Sequence, residues 1–303
     1  MNFYKKIVKS RNMRKKIIHI FDFVDDETML KIQYRIKTGN TLNLNNPKRY
    51  TEKLQWYKLF YRDPLMSKCS DKYLVREYVK EKGLELILNE NYGHFYNPDE
   101  IDFSSLPSRY AIKSTTGSGD NIIVTDSTKI NVEETRQKLK EWMIKEKSLG
   151  REWCYYDLKP SIIIEKFIDR NENNDLPDYK FFCFGGRVYC LYVMVNYTDN
   201  HANGQLGFYD RDFKKMPYCR MDYRDIDFEI KKPKNFDLMV QYAEILSKDF
   251  PHARVDFFNV DGKIIFGELT FYNASGYTKF NPDKFDYIMG DQFVLPKKKN
   301  GYK

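Results

Sequence analysis

Residues 253–276 read ARVDFFNVDGKIIFGELTFYNASG, two runs rich in Val, Ile and Phe on either side of Asp261-Gly262. Such runs around an Asp-Gly pair predict a β-hairpin. The same strands carry Arg254, Asp256 and Glu268. If Asp261-Gly262 is a plain two-residue turn, Asp256 lies opposite Gly267, and alternation sends Asp256 and Glu268 to opposite faces. An odd loop, or a bulge for which glycine is suited, brings Arg254, Asp256, Glu268 and Thr270 onto one face instead. Two close carboxylates repel and raise a pKa unless a cation lies between them. Hard divalent ions want oxygen ligands, and Mg²⁺ takes one or two carboxylates together with nucleotide phosphates. The hairpin is therefore expected to be a Mg²⁺-nucleotide platform, with Arg254 able to reach an anionic group. A salt-bridged sheet edge facing solvent is the plainer reading.

Outward from the hairpin, short apolar runs predict strands at 110–113, 122–125 and 162–167, and the runs 180–184 and 188–195 flank Gly185-Gly186, a second hairpin signal. Helical spacing covers 25–37, 51–62 and 71–82, with Gly39 and Gly83 just past two of the ends and Ser70 as cap of the third. A further helix is expected at 132–148 behind Asn131 and Glu134, and a last one at 236–249. The segments 170–178 and 196–235 read as polar loop and irregular charged chain. Hairpins interrupted by helices predict an α+β fold rather than a doubly wound one.

The chain has 303 residues, 42% of them apolar and 16% aromatic, enough to bury a core without staples. No apolar run approaches the roughly 18–20 residues of a membrane-spanning helix, so a soluble or surface-bound protein is expected. The five cysteines are odd in number, widely spaced and without a CxxC pair, which argues against a disulfide framework or zinc site and fits a reducing cytosol. The four histidines show no paired spacing, and no internal repeat points to a solenoid. The net charge of +8 is unevenly placed, with seven Lys or Arg residues before the first acid, Asp22. This stretch lacks the apolar core and cleavage site of a signal peptide. It reads either as a basic amphipathic helix resting on an anionic leaflet or polyanionic glycan, or as a solvated helix packed on its own domain. No nucleic-acid partner is expected.

Two more stretches carry chemistry. In YAIKSTTGSGDNIIV (110–124) a strand ends in Lys113, and Gly117, Ser118 and Gly119 form a small-residue loop before the next strand. Such loops let backbone N–H groups approach phosphate oxygens, and the lysine adds charge. The order strand, lysine, loop, strand is not that of a Walker loop, which leads into a helix. In SIIIEKFIDR (161–170) an apolar strand ends in Glu165, Lys166, Phe167 and Ile168.

Taken in order, LNLNNPKRYTEKLQWYKLFYRDPLMSKCSDKYLVREYV, IDFSSLPSRYAIKSTTGSGDNIIV, DYKFFCFGGRV and the opening hairpin resemble the ATP-grasp superfamily, and within it the TupA-like branch associated with bacterial cell-surface polysaccharide synthesis. The resemblance covers about residues 30–285. It implies an ATP-grasp fold in which two α+β subdomains with antiparallel sheets hold ATP between them, preceded by a helical region. The boundaries are then 1–24 (basic segment), 25–109 (helical region), 110–168 (small subdomain) and 169–303 (large subdomain). It implies that Lys113, Gly117, Ser118 and Gly119 cover the phosphates of ATP, that backbone groups of Glu165, Lys166, Phe167 and Ile168 read the base, and that Lys180 lies near the phosphates. Asp256 and Glu268 would hold Mg²⁺, with Arg254 beside the γ-phosphate or acyl phosphate. Two departures stand out. The usual Glu-x-Asn ending is Glu268-Leu269-Thr270, leaving Thr270 or Asn273 as third oxygen ligand. An Asn-His pair common in this branch is replaced by Thr115-Thr116.

The activity implied is an ATP-dependent carboxylate–amine ligase that forms an amide through an acyl phosphate on a uronic-acid-containing polysaccharide precursor. Its partners are a glycan or sugar-carboxylate acceptor and an amino acid or amine donor. It would act in the cytoplasm, with residues 1–20 reaching the inner face of the plasma membrane. A kinase using the same ATP site, a nucleotide-sugar glycosyltransferase using Asp210 and Asp212 in FYDRDF, and a non-catalytic tether are the alternatives.

Overall fold

The computed structural model describes residues 23–117, 119–144, 150–198 and 203–299. The basic N-terminal segment and Ser118 therefore lie outside the described residues. Seven α-helices are described: α1 (Asp26–Thr38), α2 (Tyr50–Phe60), α3 (Pro64–Ser70), α4 (Val75–Glu81), α5 (Val132–Trp142), α6 (Phe236–Ser247) and α7 (Lys284–Gln292). The strands are β1 (Asn91–Phe95), β2 (Tyr110–Ser114), β3 (Asn121–Val124), β4 (Ile162–Lys166), β5 (Asp178–Phe184), β6 (Arg187–Val195), β7 (Gln205–Asp210), β8 (Cys219–Arg220), β9 (Arg224–Asp225), β10 (His252–Val260), β11 (Lys263–Thr270) and β12 (Phe280–Asn281). No described helix is long and apolar enough to cross a membrane.

A four-stranded antiparallel sheet has the order β1-β4-β2-β3. Its core joins Tyr110, Ile112, Ile162 and Ile164 to Leu139 of α5. A six-stranded sheet has the order β11-β10-β5-β6-β7-β9, antiparallel except at its β7–β9 edge. Side-chain alternation divides its strands between two layers. Phe181 packs on Phe236 of α6, while Phe182 on the other face packs on Tyr50 of α2, and Phe208 on Phe285 of α7. The candidate site shares this second face.

Helix α2 is fixed at its start. The Glu52 carboxylate accepts N–H groups from Asn43, Lys48 and Arg49, and Asp286 of α7 accepts the Thr51 N–H at 2.9 Å and its hydroxyl at 2.7 Å. The two helices approach so closely at Gly290 that an added Cβ would collide with backbone atoms of Lys48 and Tyr50. Gly290→Ala is therefore expected to lower unfolding free energy by about 1–3 kcal/mol or more, measurable by urea denaturation. Wild-type stability in the variant would show that the helices separate without cost.

The α+β expectation holds, and several local expectations need correction. Ser70 ends α3 and donates its hydroxyl back to Met66 O, while Asp71 accepts the N–H groups of Tyr73 and Leu74 ahead of α4. The helix expected from 132 ends at Trp142 and the one from 71 begins at Val75. Segment 196–235 contains β7, and α7 follows the helix expected to be last. Strand β1 (NYGHF) lacks an apolar alternation, and α7 carries an internal glycine that reads as a breaker.

Candidate functional site

In the closing hairpin Val260 pairs with Lys263, so Asp261-Gly262 is a two-residue turn, with φ of 53° and 101°. That even turn alone would separate the carboxylates. The register shifts, however, between Asp256 and Phe257: Phe257 pairs with Phe266 and Asp256 with Glu268. Gly267 is the extra residue of a bulge, and an added Cβ there would lie 3.0 Å from Asp256 O. The shared face thus comes from a bulge inside the strand and not from an odd loop.

Arg254 is the centre of the cluster. Its Nε and one terminal nitrogen bind the two Asp256 oxygens at 2.7 and 2.6 Å, and that nitrogen also reaches Glu268 Oε1 at 3.2 Å and Thr270 Oγ1 at 3.0 Å. Its other terminal nitrogen donates to Asn273 Oδ1. Lys180, opposite Asp256 on β5, binds Asp256 Oδ2 at 2.5 Å and Asp178 Oδ2 at 2.6 Å. Two cations and three carboxylates thus share one largely buried patch, and Glu268, its side chain 37% exposed, forms the mouth.

Burial would raise the Asp256 pKa, but Arg254 and Lys180 outweigh it and hold the carboxyl below its ordinary range. Burial would lower Lys180, and Asp178 and Asp256 instead raise it. Asp178 is pushed up to about 6 by burial, against the attraction of Lys180. Its Oδ1 is buried without a partner. A carboxyl whose folded pKa is raised contributes stability that is full below its unfolded value and lost as pH rises through the folded value. Wild type should therefore lose stability relative to Asp178→Asn between pH of roughly 4 and 6, by about 1–3 kcal/mol. Parallel pH–stability curves for the two proteins would contradict this.

The second half of the site is the Gly-rich loop after β2. Ser114 N–H bonds Asp120 O at 3.0 Å and Thr115 N–H bonds Ser161 O at 2.9 Å, closing the loop's base. Under it, the Ser161 hydroxyl lies 2.9 Å from Thr115 Oγ1 and 2.8 Å from His94 Nε2. A histidine therefore reaches the loop from β1, although the loop itself has Thr115 and Thr116. Lys113 pairs with Glu165 at 2.7 Å, and Arg76 holds the other Glu165 oxygen at 3.2 Å. Lys166 is exposed and pairs with Glu90, and both its backbone groups are engaged, N–H by Glu90 O and carbonyl by Asn89. Phe167 lies under the Arg109 guanidinium, and Ile168 is half-buried.

Lys72 braces the loop from outside it. Its N–H donates to Thr115 O at 2.9 Å and its ammonium to Gly117 O at 2.8 Å. Burial lowers its pKa, and the charge of Glu268 opposes that shift. Sequence reasoning passed over Lys72, whose only signal was its place just ahead of a helix. By contrast, Asp210 Oδ1 accepts the N–H groups of Asp212 and Lys214 at 2.9 and 2.8 Å, so the Asp-x-Asp spacing reports a turn.

The profile of the family described as TupA-like ATPgrasp matches residues 52–294. The chain belongs to this TupA-like ATP-grasp family. Among solved structures, an L-amino acid ligase from Bacillus licheniformis is similar at 14% identity over 92% of this chain and 65% of that one, with a TM-score of 0.49. A D-alanine–D-alanine ligase from Bacillus anthracis is similar at 16% identity over 67% and 57%, TM-score 0.41. One from Helicobacter pylori gives 14% over 75% and 61%, TM-score 0.40. The chain thus spans 57% to 65% of the lengths of these three. No curated protein matches the sequence.

ATP-grasp proteins use ATP with Mg²⁺. The donor set on the hairpin suits that ion: it is all oxygen, from two carboxylates, a hydroxyl and an amide, as a hard cation requires. One Arg254 nitrogen already lies among Asp256, Glu268 and Thr270, which shows that these oxygens converge on a cation. Among the described residues no group of three or more His, Cys, Asp or Glu is arranged to hold a metal ion, so the hairpin offers two carboxylates completed by neutral oxygens.

Proposed function

We propose that the chain is an ADP-forming ligase that joins a carboxylate to an amine. The observation that carries this reading is the buried Arg254–Asp256–Lys180 cluster, with the part-exposed Glu268 and Thr270 on the same face. In this reading Lys113, Gly117, Ser118, Gly119 and Lys72 cover the phosphates, and the base is read by backbone groups of the 165–168 segment other than those of Lys166, which Glu90 and Asn89 hold. Asp256 and Glu268 would hold Mg²⁺, which neutralises developing phosphate charge. Thr270 is the better third ligand, because its hydroxyl contacts Glu268 at 3.1 Å and meets the same Arg254 nitrogen as Asp256 and Glu268, whereas the Asn273 oxygen meets the other one.

A carboxylate oxygen of the acceptor attacks the γ-phosphorus, the bond to the β-γ bridging oxygen breaks, and ADP leaves. The amine nitrogen then attacks the acyl carbon, phosphate departs with its electron pair, and the nitrogen loses a proton. Arg254 and Lys180 place fixed positive charge where phosphoryl oxygens gain negative charge, so no covalent protein nucleophile is required.

We assign as acceptor a uronic-acid-bearing precursor of a cell-surface polysaccharide and as donor an amino acid or other amine, in keeping with the TupA-like family. The proposed setting is the bacterial cytoplasm, with residues 1–20 on the inner face of the plasma membrane and subdomains at 110–168 and 169–303. Product analysis with ATP, Mg²⁺, D-glucuronate and mixed amino acids tests the reaction. Amide plus ADP is expected. A phosphorylated acceptor without amide would make the protein a kinase, and AMP would contradict both readings.

A further inference from the structure

Beside Arg254, hydrogen-bond donors converge with too few acceptors. Arg220, buried on β8, points a terminal nitrogen at the Tyr192 hydroxyl from 3.5 Å, and Arg254 points one at the same oxygen from 3.4 Å. Both guanidinium groups lie by the Tyr192 ring, 5.6 and 5.9 Å from its centroid. Tyr192 is the acceptor in both contacts, so its own O–H remains to donate. The buried Asn273 turns its oxygen to Arg254, and its Nδ2 has no partner. Buried donors are normally matched by acceptors. A carboxylate supplies them, because its two oxygens take about four hydrogen bonds and fit the arginine fork.

The rest of the Arg220 fork shows how such a group is received. Its Nε and second terminal nitrogen bind Asp222 at 3.0 and 2.7 Å, and the Asp222 side chain is 59% exposed. A pair with so exposed a partner is held weakly and exchanges readily.

We propose that Arg220, Tyr192 and Asn273 form, next to Arg254, the subsite for the acceptor's carboxylate, and that Asp222 occupies the Arg220 fork until that carboxylate displaces it. This rests on the carboxylate-activating reading above and adds the residues that choose the acceptor. It predicts that uronic acids bind and neutral hexoses do not.

The test is calorimetry on the full chain saturated with Mg²⁺ and the non-hydrolysable analogue AMP-PNP, titrated with D-glucuronate or D-glucose. Glucuronate should bind in clear preference to glucose. Arg220→Gln should weaken glucuronate about 10- to 100-fold, and Tyr192→Phe should weaken it less. Asp222→Asn should tighten it, by up to about 5-fold. All three variants should bind AMP-PNP as wild type does, which also shows that they fold. Equal glucuronate binding by Arg220→Gln, no preference for glucuronate in wild type, or weaker AMP-PNP binding by Arg220→Gln overturns the proposal alone. Failure of wild type to bind AMP-PNP removes the functional reading and the proposal together.

Discussion

Asp256→Ala should abolish the thermal stabilisation that Mg²⁺ with ADP gives the wild-type protein, and should lower stability without them. The Asp256 side chain is 2% exposed and holds both Arg254 and Lys180. Its removal leaves two buried cations, with Asp178 for one and Glu268 at 3.2 Å for the other. Breaking a buried pair by removing one partner costs about 3–5 kcal/mol. For a chain of this size the melting temperature should fall on the order of 10 °C. Because the folded pKa of Asp256 is depressed, its stabilisation is present above the unfolded carboxyl value and is lost as pH falls through the folded value. The variant should lack that acid-side loss. Asp256→Asn keeps the shape, should cost less stability, and should still lose the response to Mg²⁺ with ADP. A wild-type shift with Mg²⁺ and ADP in either variant would remove Asp256 from the metal site.

Lys58→Met should loosen the chain that carries Asn273. Lys58 lies on α2, 1% exposed, and its ammonium donates to Gln55 Oε1, Gly150 O and Ser275 O at 3.1, 2.8 and 2.8 Å. Gln55 donates to Ser275 O and Gly276 O. These bonds hold a turn in which Ala274, Ser275 and Gly276 have φ of 47°, 53° and 68°. Left-handed non-glycine residues cost about 1–3 kcal/mol each and persist only when their surroundings fix them. The variant leaves the Gly150 carbonyl without this donor and should lose about 1–3 kcal/mol. Amides of residues 273–277 should exchange faster, and unchanged exchange would contradict the role. Burial lowers the Lys58 pKa to about 7 against the pull of Glu152. The unfolded chain then binds more protons between pH 7 and the ordinary 10.5, so this group's contribution rises with pH over that window. The stability difference between wild type and Lys58→Met should grow accordingly.

The sequence exposed what is local and left out what depends on a neighbouring element. Arg254, Asp256 and Glu268 were legible because charges in apolar strands break a two-residue alternation. Lys113 was legible because it precedes a loop of small residues. The bulge at Gly267 was only one of two ways to bring the carboxylates together, since glycine permits a bulge without demanding one. Gln55 and Lys58 look like the polar positions of an ordinary amphipathic helix, and only the arrival of residues 150 and 275 makes them clamps. Lys72 and Arg220 acquire their settings from the loop after β2 and from Tyr192, which no spacing along the chain announces. His94 lies in a strand without alternation, so its approach to Thr115 through Ser161 was hidden too.

The bulge at Gly267 also ties chain length to chemistry. Twelve steps separate Asp256 from Glu268, one more than an unbroken ladder across a two-residue turn requires. Deleting Gly267 would leave Glu268 opposite Asp256 and make the ladder regular. Inserting one residue elsewhere in the hairpin would rotate Glu268 toward α6 unless a second bulge absorbed it. Over time this stretch can exchange its buried apolar side chains for others of similar volume, yet it can change length only along with its irregularity.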